Sequence, residues 1–327
     1  MTALFEPDPG PLPGGARGLR RPRRLRPGDR VAVVCPGSPV DPGRLHAGCA
    51  VLSDLGLEVV LGAHVLDRQE SGYLAGTDRG RARDLEDAWC DPAIAAIVCA
   101  RGGYGAARVL DLLSWEAMAA AEPKVLLGAS DVTALHAAFA ARLGVVTLFG
   151  PMPATAGFGA AAGKAPDPGT LAQLRATLFA PEDAVELASP DVHALVAGRA
   201  RGVTTGGTLS LVAGSIGCPE SSPATGAIAL FEDIGEQPYR IDRLLTQLLR
   251  SGWFAGVAGV VTGTWTDCGP VERVEAVLRD RLSPLGVPVL AGLSFGHGPR
   301  QLTVPLGVEA DLDADAGTLT LTAAALR

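Results

Sequence analysis

The sequence predicts an α/β protein of two lobes. The N-terminal lobe is built on a parallel, flavodoxin/Rossmann-like sheet, and the C-terminal lobe is α/β with mixed or antiparallel β-structure. Three observations carry this reading. Short apolar runs alternate with amphipathic stretches through the first 150 residues, as in sheets covered on both faces by crossover helices. Hydrophobic residues make up 47% of the 327 while aromatics are only 5%, so the core is large and built from small side chains. Beyond residue 300 the pattern changes to period-two alternation, which belongs to antiparallel β-structure.

The elements follow in order. Residues 29–35 form a compact apolar run closed by Pro36-Gly37-Ser38-Pro39, a first parallel strand. Residues 41–55 read as a helix with Leu45, Cys49 and Leu52 on one face, and 57–61 as the second strand. A helix start at Thr77 or Asp78 opens a charged helix to Cys90. Strand 93–100 runs into Arg101-Gly-Gly-Tyr-Gly105, and a helix follows over 106–113. Strand 125–127 turns into a helix over 131–142, and 145–151 is the fifth strand. In the second half, 200–203, 227–231, 257–263 and 287–290 read as strands, with helices over 239–249 and 273–282. The tail (302–306, 308–312, 318–322) reads as an antiparallel finish.

This divides the chain into an extension (1–27), an N-terminal domain (28–152), a crossing rich in Ala, Gly and Pro (153–197) and a C-terminal domain (198–327). The extension carries Arg17, Arg20, Arg21, Arg23, Arg24 and Arg26, which suit either an anionic contact or a solvated, disordered segment. A formal net charge of −7 gives no reason to expect nucleic acid. Six cysteines without a C-x-x-C pair point to reduced thiols rather than a disulfide framework. The scattered histidines suggest no metal, and no cofactor is expected. No apolar run reaches membrane-spanning length and no signal peptide is read at the N-terminus, so a cytoplasmic protein without a membrane partner is expected.

The chemistry gathers around residues 124–136. The strand ends in a corner, Gly128-Ala129-Ser130, and Val132, Leu135, Phe139 and Leu143 mark the buried face of the helix that follows. Such a corner pushes a serine hydroxyl out of the sheet, toward the spot faced by the first unpaired helical N–H groups. Those donors can hold the oxyanion formed when serine attacks a carbonyl. The same residue type also serves as a helix N-cap, and only half of G-x-S-x-G is present, Val132 standing in place of the second glycine. Gly102 and Gly103 end the preceding strand and fit a phosphate cradle, an oxyanion donor or a tight turn. In parallel sheets, ligands bind beyond such carboxyl ends. Glu232 ends a strand, either facing a cleft or capping a neighbouring element. His297, between Gly296 and Gly298, is either a general base or an ordinary loop histidine. Arg101 suits a substrate carboxylate or a structural pair.

Five segments taken together, 73–85, 100–106, 128–136, 231–243 and 295–298, resemble the LD-carboxypeptidase family, serine peptidases that also include the microcin C self-immunity proteins. The resemblance runs from about residue 26 to the C-terminus. It implies a triad split between the lobes: Ser130 as nucleophile, His297 as base and Glu232 orienting the imidazole. The oxyanion hole would be the backbone N–H groups of Gly103 and Asp131. Two positions depart from the family pattern: Thr208 stands where Asn is usual, and Phe149 where many members have His. The implied activity is hydrolysis of an L–D peptide bond, releasing terminal D-alanine from murein tetrapeptide in cell-wall recycling, and the implied assembly is a homodimer. The runner-up keeps the triad but cleaves an amide joining a peptide or amino acid to a nucleotide, with Trp265 or Tyr104 available to stack on the base. A third reading is a non-catalytic two-lobed binding protein.

Overall fold

The computed structural model describes residues 19–155, 157–158 and 166–327. Two sheets organise the chain, and their strands are laid down by the apolar runs. The first sheet is formed by β1 (Arg30–Val34), β2 (Glu58–Leu61), β3 (Ile94–Cys99), β4 (Val125–Gly128) and β5 (Thr147–Phe149), all parallel, with β12 (Val304–Leu306) antiparallel at the edge, in the order β12-β5-β4-β3-β1-β2. All six residues of β3 are buried, as the unbroken Ile-Ala-Ala-Ile-Val-Cys run requires of a strand covered on both faces. Helices α1 (Pro42–Asp54), α2 (Asp78–Cys90), α3 (Trp115–Ala120) and α4 (Thr133–Ala138) serve the crossovers. Asp41 and Thr77 cap α1 and α2 by accepting from the amides of Arg44 and Gly80. Trp89 of α2 packs edge-on against Phe139, with ring centroids 4.8 Å apart, and its indole N–H donates to the Met118 carbonyl at 2.9 Å.

The second sheet is mixed. Its order is β6-β14-β13-β8-β9-β10-β11-β7, formed by β6 (Glu186–Leu187), β7 (His193–Val196), β8 (Arg199–Thr208), β9 (Ala227–Ile234), β10 (Gly259–Thr266), β11 (Val289–Ala291), β13 (Glu309–Asp313) and β14 (Thr318–Leu321). The inner four, β8 to β11, are parallel, and the flanking strands are antiparallel. Helix α5 (Pro168–Phe179) precedes this sheet, and α6 (Leu209–Gly214), α7 (Pro238–Arg250) and α8 (Val271–Leu282) accompany it. Helix α7 buries Ile241, Leu244, Leu245 and Leu248, the face its spacing predicts, and Pro238 sits in its first turn, where a missing N–H costs nothing.

Several local expectations are corrected. The tail is antiparallel as expected but is divided between the sheets, β12 pairing with β5 of the first and β13 and β14 joining the second. The stretch read as a crossing contributes β6 and β7 to the second sheet. The helix expected over 131–142 begins as a 3-10 turn at Ser130–Val132 and ends in a π turn at Phe139–Leu143, closed by left-handed Gly144. The segment 106–112 winds as a 3-10 helix rather than an α-helix. Residues 1–18 of the expected extension lie outside the described residues. Residues 20–27 are tied to the body rather than solvated: Arg20 bridges to Val145, the Leu25 amide donates to the Leu178 carbonyl, and Arg23 and Arg24 pair with Asp29 and Glu182.

Candidate active site

Both sheets aim the carboxyl ends of their parallel strands at one cleft. At the end of β4, Ser130 adopts φ 61°, in the left-handed region that a side-chain-bearing residue enters at a cost. Only the tight strand-to-helix corner holds it there. The loop after β3 lies directly against this corner. A Cβ on Gly102 would stand 2.8 Å from the Ser130 Cβ and 3.0 Å from the Asp131 amide nitrogen, so the approach requires bare backbone. Gly103 follows at φ 105°.

The Asp131 carboxylate fastens loop and corner together, accepting from the Ala106 amide at 2.8 Å. Burial pushes its acidity toward a higher pKa, partly offset by the Ala106 and Gly105 amides. Arg81, fully buried on α2, donates to the Pro36 carbonyl and, at 2.8 Å, to the Gly105 carbonyl, and pairs with Asp78. Ser38 accepts from the Tyr104 amide at 3.0 Å. The 101–105 loop is thus held from three sides. Arg101 donates to the Pro39 carbonyl at 3.2 Å.

On the second lobe, Glu232 lies within β9, two residues before its end, and is fully buried. Its Oε2 accepts from His297 Nδ1 at 2.6 Å, and its Oε1 accepts from the Thr208 hydroxyl at 2.5 Å. A carboxylate only accepts, so Nδ1 carries the imidazole hydrogen and Nε2 keeps its lone pair. Burial by itself pulls the His297 pKa down; the hydrogen bond and charge of Glu232, with help from Asp233, outweigh it and raise the pKa above 6.5. Gly296 makes this contact possible, since a Cβ there would stand 2.3 Å from Glu232 Oε2. The Gly298 amide donates to the Thr264 hydroxyl at 3.2 Å and anchors the other flank. Burial raises the Asp233 carboxyl to about 6, although it accepts from the Ser210 and Ile234 amides.

A cavity of about 390 Å³ joins the two halves, lined by Ala129 and Gly150 from the first lobe and by Ile234 and His297 from the second. Ser130 is half-buried and directly follows the cavity-lining Ala129. Phe149, fully buried, packs at 5.9 Å from both His136 and Phe295 and so backs the His297 loop. The fold therefore pairs Glu232 with His297, sets the Gly102-Gly103 loop against the Ser130–Asp131 corner, and lines one cavity with His297 and with Ala129, the residue before Ser130. Sequence reasoning passed over Thr133, the Thr208 hydroxyl, the Asp131 side chain and Asp233. The acidic pair Glu232-Asp233 at a strand end was a legible signal for the last of these; the hydroxyls gave none. Trp265 is half-buried against the second core, whereas Tyr104 is exposed and tilted against Tyr73 at 5.9 Å. All six cysteines are free. Among the described residues there is no cluster suited to a metal ion, and no helix is long and apolar enough to cross a membrane.

Comparison with known proteins defines the class. A putative carboxypeptidase of Streptomyces coelicolor is 56% identical over 312 residues, spanning 95% of this chain and 98% of that one. The murein tetrapeptide carboxypeptidase of Pseudomonas aeruginosa is 33% identical, covering 88% and 94%. The muramoyltetrapeptide carboxypeptidase of Oxalobacter formigenes superposes with a TM-score of 0.77 at 30% identity over 89% of this chain and 97% of its own. MccF in complex with glutamyl sulfamoyl guanosine shares the fold, with a TM-score of 0.82 at 23% identity over 94% and 99% of the two chains. The class is that of serine-type carboxypeptidases. Residues 31–150 match the LD-carboxypeptidase N-terminal domain and residues 201–312 the C-terminal domain, and the chain belongs to the LD-carboxypeptidase family. Membership sets aside the non-catalytic reading.

Proposed function

We propose that the chain hydrolyses the L–D peptide bond of a murein tetrapeptide, releasing terminal D-alanine through a Ser130–His297–Glu232 triad. The observation that carries this reading is the 2.6 Å contact between His297 Nδ1 and the fully buried Glu232, on the same cavity as the Ser130 corner. Serine is a weak nucleophile until a base accepts its proton, and the free Nε2 of His297 is that base. As Ser130 Oγ bonds to the scissile carbonyl carbon, its proton passes to Nε2 and Glu232 stabilises the imidazolium. The carbonyl oxygen gathers charge opposite the Gly103 and Asp131 amides, fixed donors that need no reorganisation. His297 then protonates the leaving amine, D-alanine departs, and a water activated by the same imidazole hydrolyses the acyl-enzyme.

The runner-up is a peptidyl- or aminoacyl-nucleotide amide as substrate. Its support is the exposed Tyr73–Tyr104 pair beside the Gly103 loop, a surface on which a base can stack. The proposal includes a cytoplasmic location, expected from the sequence reading, and a homodimer, implied by the family resemblance; cell fractionation tests the first and sedimentation the second. Incubating the protein with a defined murein tetrapeptide and with an aminoacyl sulfamoyl nucleoside, read by mass spectrometry, separates the substrates. Ser130→Ala is expected to abolish turnover and fluorophosphonate labelling while keeping the fold, and persistent hydrolysis would defeat the triad.

A further inference from the structure

The hydroxyl of Thr208 occupies a place in the site that the triad alone does not explain. Thr208 ends β8, which pairs with β9 so that Thr208 lies directly opposite Glu232. Its side chain is 2% exposed, and its hydroxyl donates to Glu232 Oε1 at 2.5 Å. Among the described residues, that oxygen has no other partner. The backbone of Thr208 faces the other lobe: its amide donates to the Thr133 hydroxyl at 3.0 Å, at the start of the helix that follows Ser130. Gly207 permits this approach, at φ 135° and with a position where a Cβ would stand 2.6 Å from Thr133 Oγ1. A continuous path therefore runs from the nucleophile helix through Thr133, Thr208 and Glu232 to His297, crossing between the lobes.

We infer that Thr208 is a positioning residue for the hydrolysis, holding the Glu232 carboxylate in the rotamer that orients His297 while its amide docks that carboxylate's sheet onto the nucleophile helix. The inference rests on the triad proposed above. Two physical consequences follow. Without the hydroxyl, Oε1 is a buried carboxylate oxygen with no donor, and the carboxyl group is held at Nδ1 alone rather than through both of its oxygens. The carboxylate, no longer shared, is also a stronger acceptor for the imidazolium, so His297 gives up its proton at higher pH. The charged groups acting on His297 are Glu232 and Asp233, both on β9. Among the described residues, β8 and β10 bring to this site the hydroxyls of Thr208 and Thr264.

The test is Thr208→Val, which keeps the volume and removes the hydroxyl, beside Thr208→Ser, which keeps the hydroxyl and removes the methyl. Rates are measured on a synthetic murein tetrapeptide ending in D-alanine across pH 5 to 9. Thr208→Val is expected to lower kcat about tenfold or more with KM within about twofold, the range lost with one charge-assisted hydrogen bond. The acid limb of its kcat/KM profile moves to higher pH, and Thr208→Ser stays near wild type. A Val variant with the wild-type limb, whatever its rate, overturns the inference, as does a Ser variant as impaired as Val. Should Thr208→Val fail to fold, Thr208→Ala is read by the same criteria. Fluorophosphonate labelling of the wild type keeps the two proposals apart. Absence of labelling at Ser130 removes the triad itself, whereas labelling with an unmoved limb in the variant removes only the role of Thr208.

Discussion

Replacing Glu232 by Gln removes one charge from the centre of the site and leaves its size unchanged. The native carboxylate accepts twice, from His297 at 2.6 Å and from Thr208 at 2.5 Å. An amide has one accepting end. If the amide NH2 faces His297, the ring must adopt the other tautomer, with its hydrogen on Nε2, where it can no longer take the serine proton. If the oxygen faces His297, the tautomer survives but the imidazolium loses its counter-charge. In a chymotrypsin-type triad, the corresponding Asp-to-Asn change costs about 10⁴ in kcat through the wrong tautomer. Here the Thr208 hydroxyl can accept as well as donate and so tolerates the amide NH2. The expected loss is about 10³ to 10⁴ in kcat, or ~4–5.5 kcal/mol of transition-state stabilisation. The sign of the pH effect is separate information. Burial lowers the His297 pKa, and Glu232 is what raises it above 6.5. Without that charge burial prevails, so the acid limb of kcat/KM moves to lower pH, opposite to the shift expected for Thr208→Val. The wild-type limb itself lies above 6.5, because the base works only when neutral. Steady-state rates on murein tetrapeptide from pH 5 to 9 read both quantities. A Gln variant within about tenfold of wild type, or one whose limb stays in place, refutes the orienting role of Glu232.

Two further outcomes concern stability. Ser130→Gly relieves the left-handed backbone at φ 61° and is expected to be inactive yet more stable by about 1 kcal/mol, read as a raised midpoint in urea; a destabilised variant contradicts the strain assigned to the corner. His136 is buried and neutral, its pKa pulled from 6.5 to about 4 by burial, with its ring nitrogens 2.9 Å from Thr147 Oγ1 and 3.0 Å from the Gly128 carbonyl oxygen. A depressed folded-state pKa means that its contribution is fully present above 6.5 and is lost as pH falls toward 4, about 3 kcal/mol over the window. Between pH 7 and pH 5, wild type should therefore lose about 2 kcal/mol more than His136→Gln in denaturant titrations, and equal losses in the two proteins exclude the assignment.

The sequence by itself determined the local content of the protein. Six consecutive small and apolar residues fix β3 as a strand buried on both faces, and the spacing of Ile241, Leu244, Leu245 and Leu248 fixes which side of α7 faces inward. It nominated Ser130, Glu232 and His297 because corners, strand ends and glycine-flanked loops are written in neighbouring residues. Periodicity states that a face is buried but not against what. For that reason β12 could be recognised as a strand while its partner, β5, could not. Nor could β6 and β7 be seen as the edges of the second sheet, for edge pairing depends on long-range register rather than local propensity. The hydrogen bonds that hold the site together are of the same kind. Thr133 reaches Thr208 across 75 positions and Thr208 reaches Glu232 across 24, while Asp131 holds a loop 25 residues earlier. A hydroxyl or carboxylate gains its role only when packing removes water and leaves one partner within reach, and tertiary structure alone decides which partner that is.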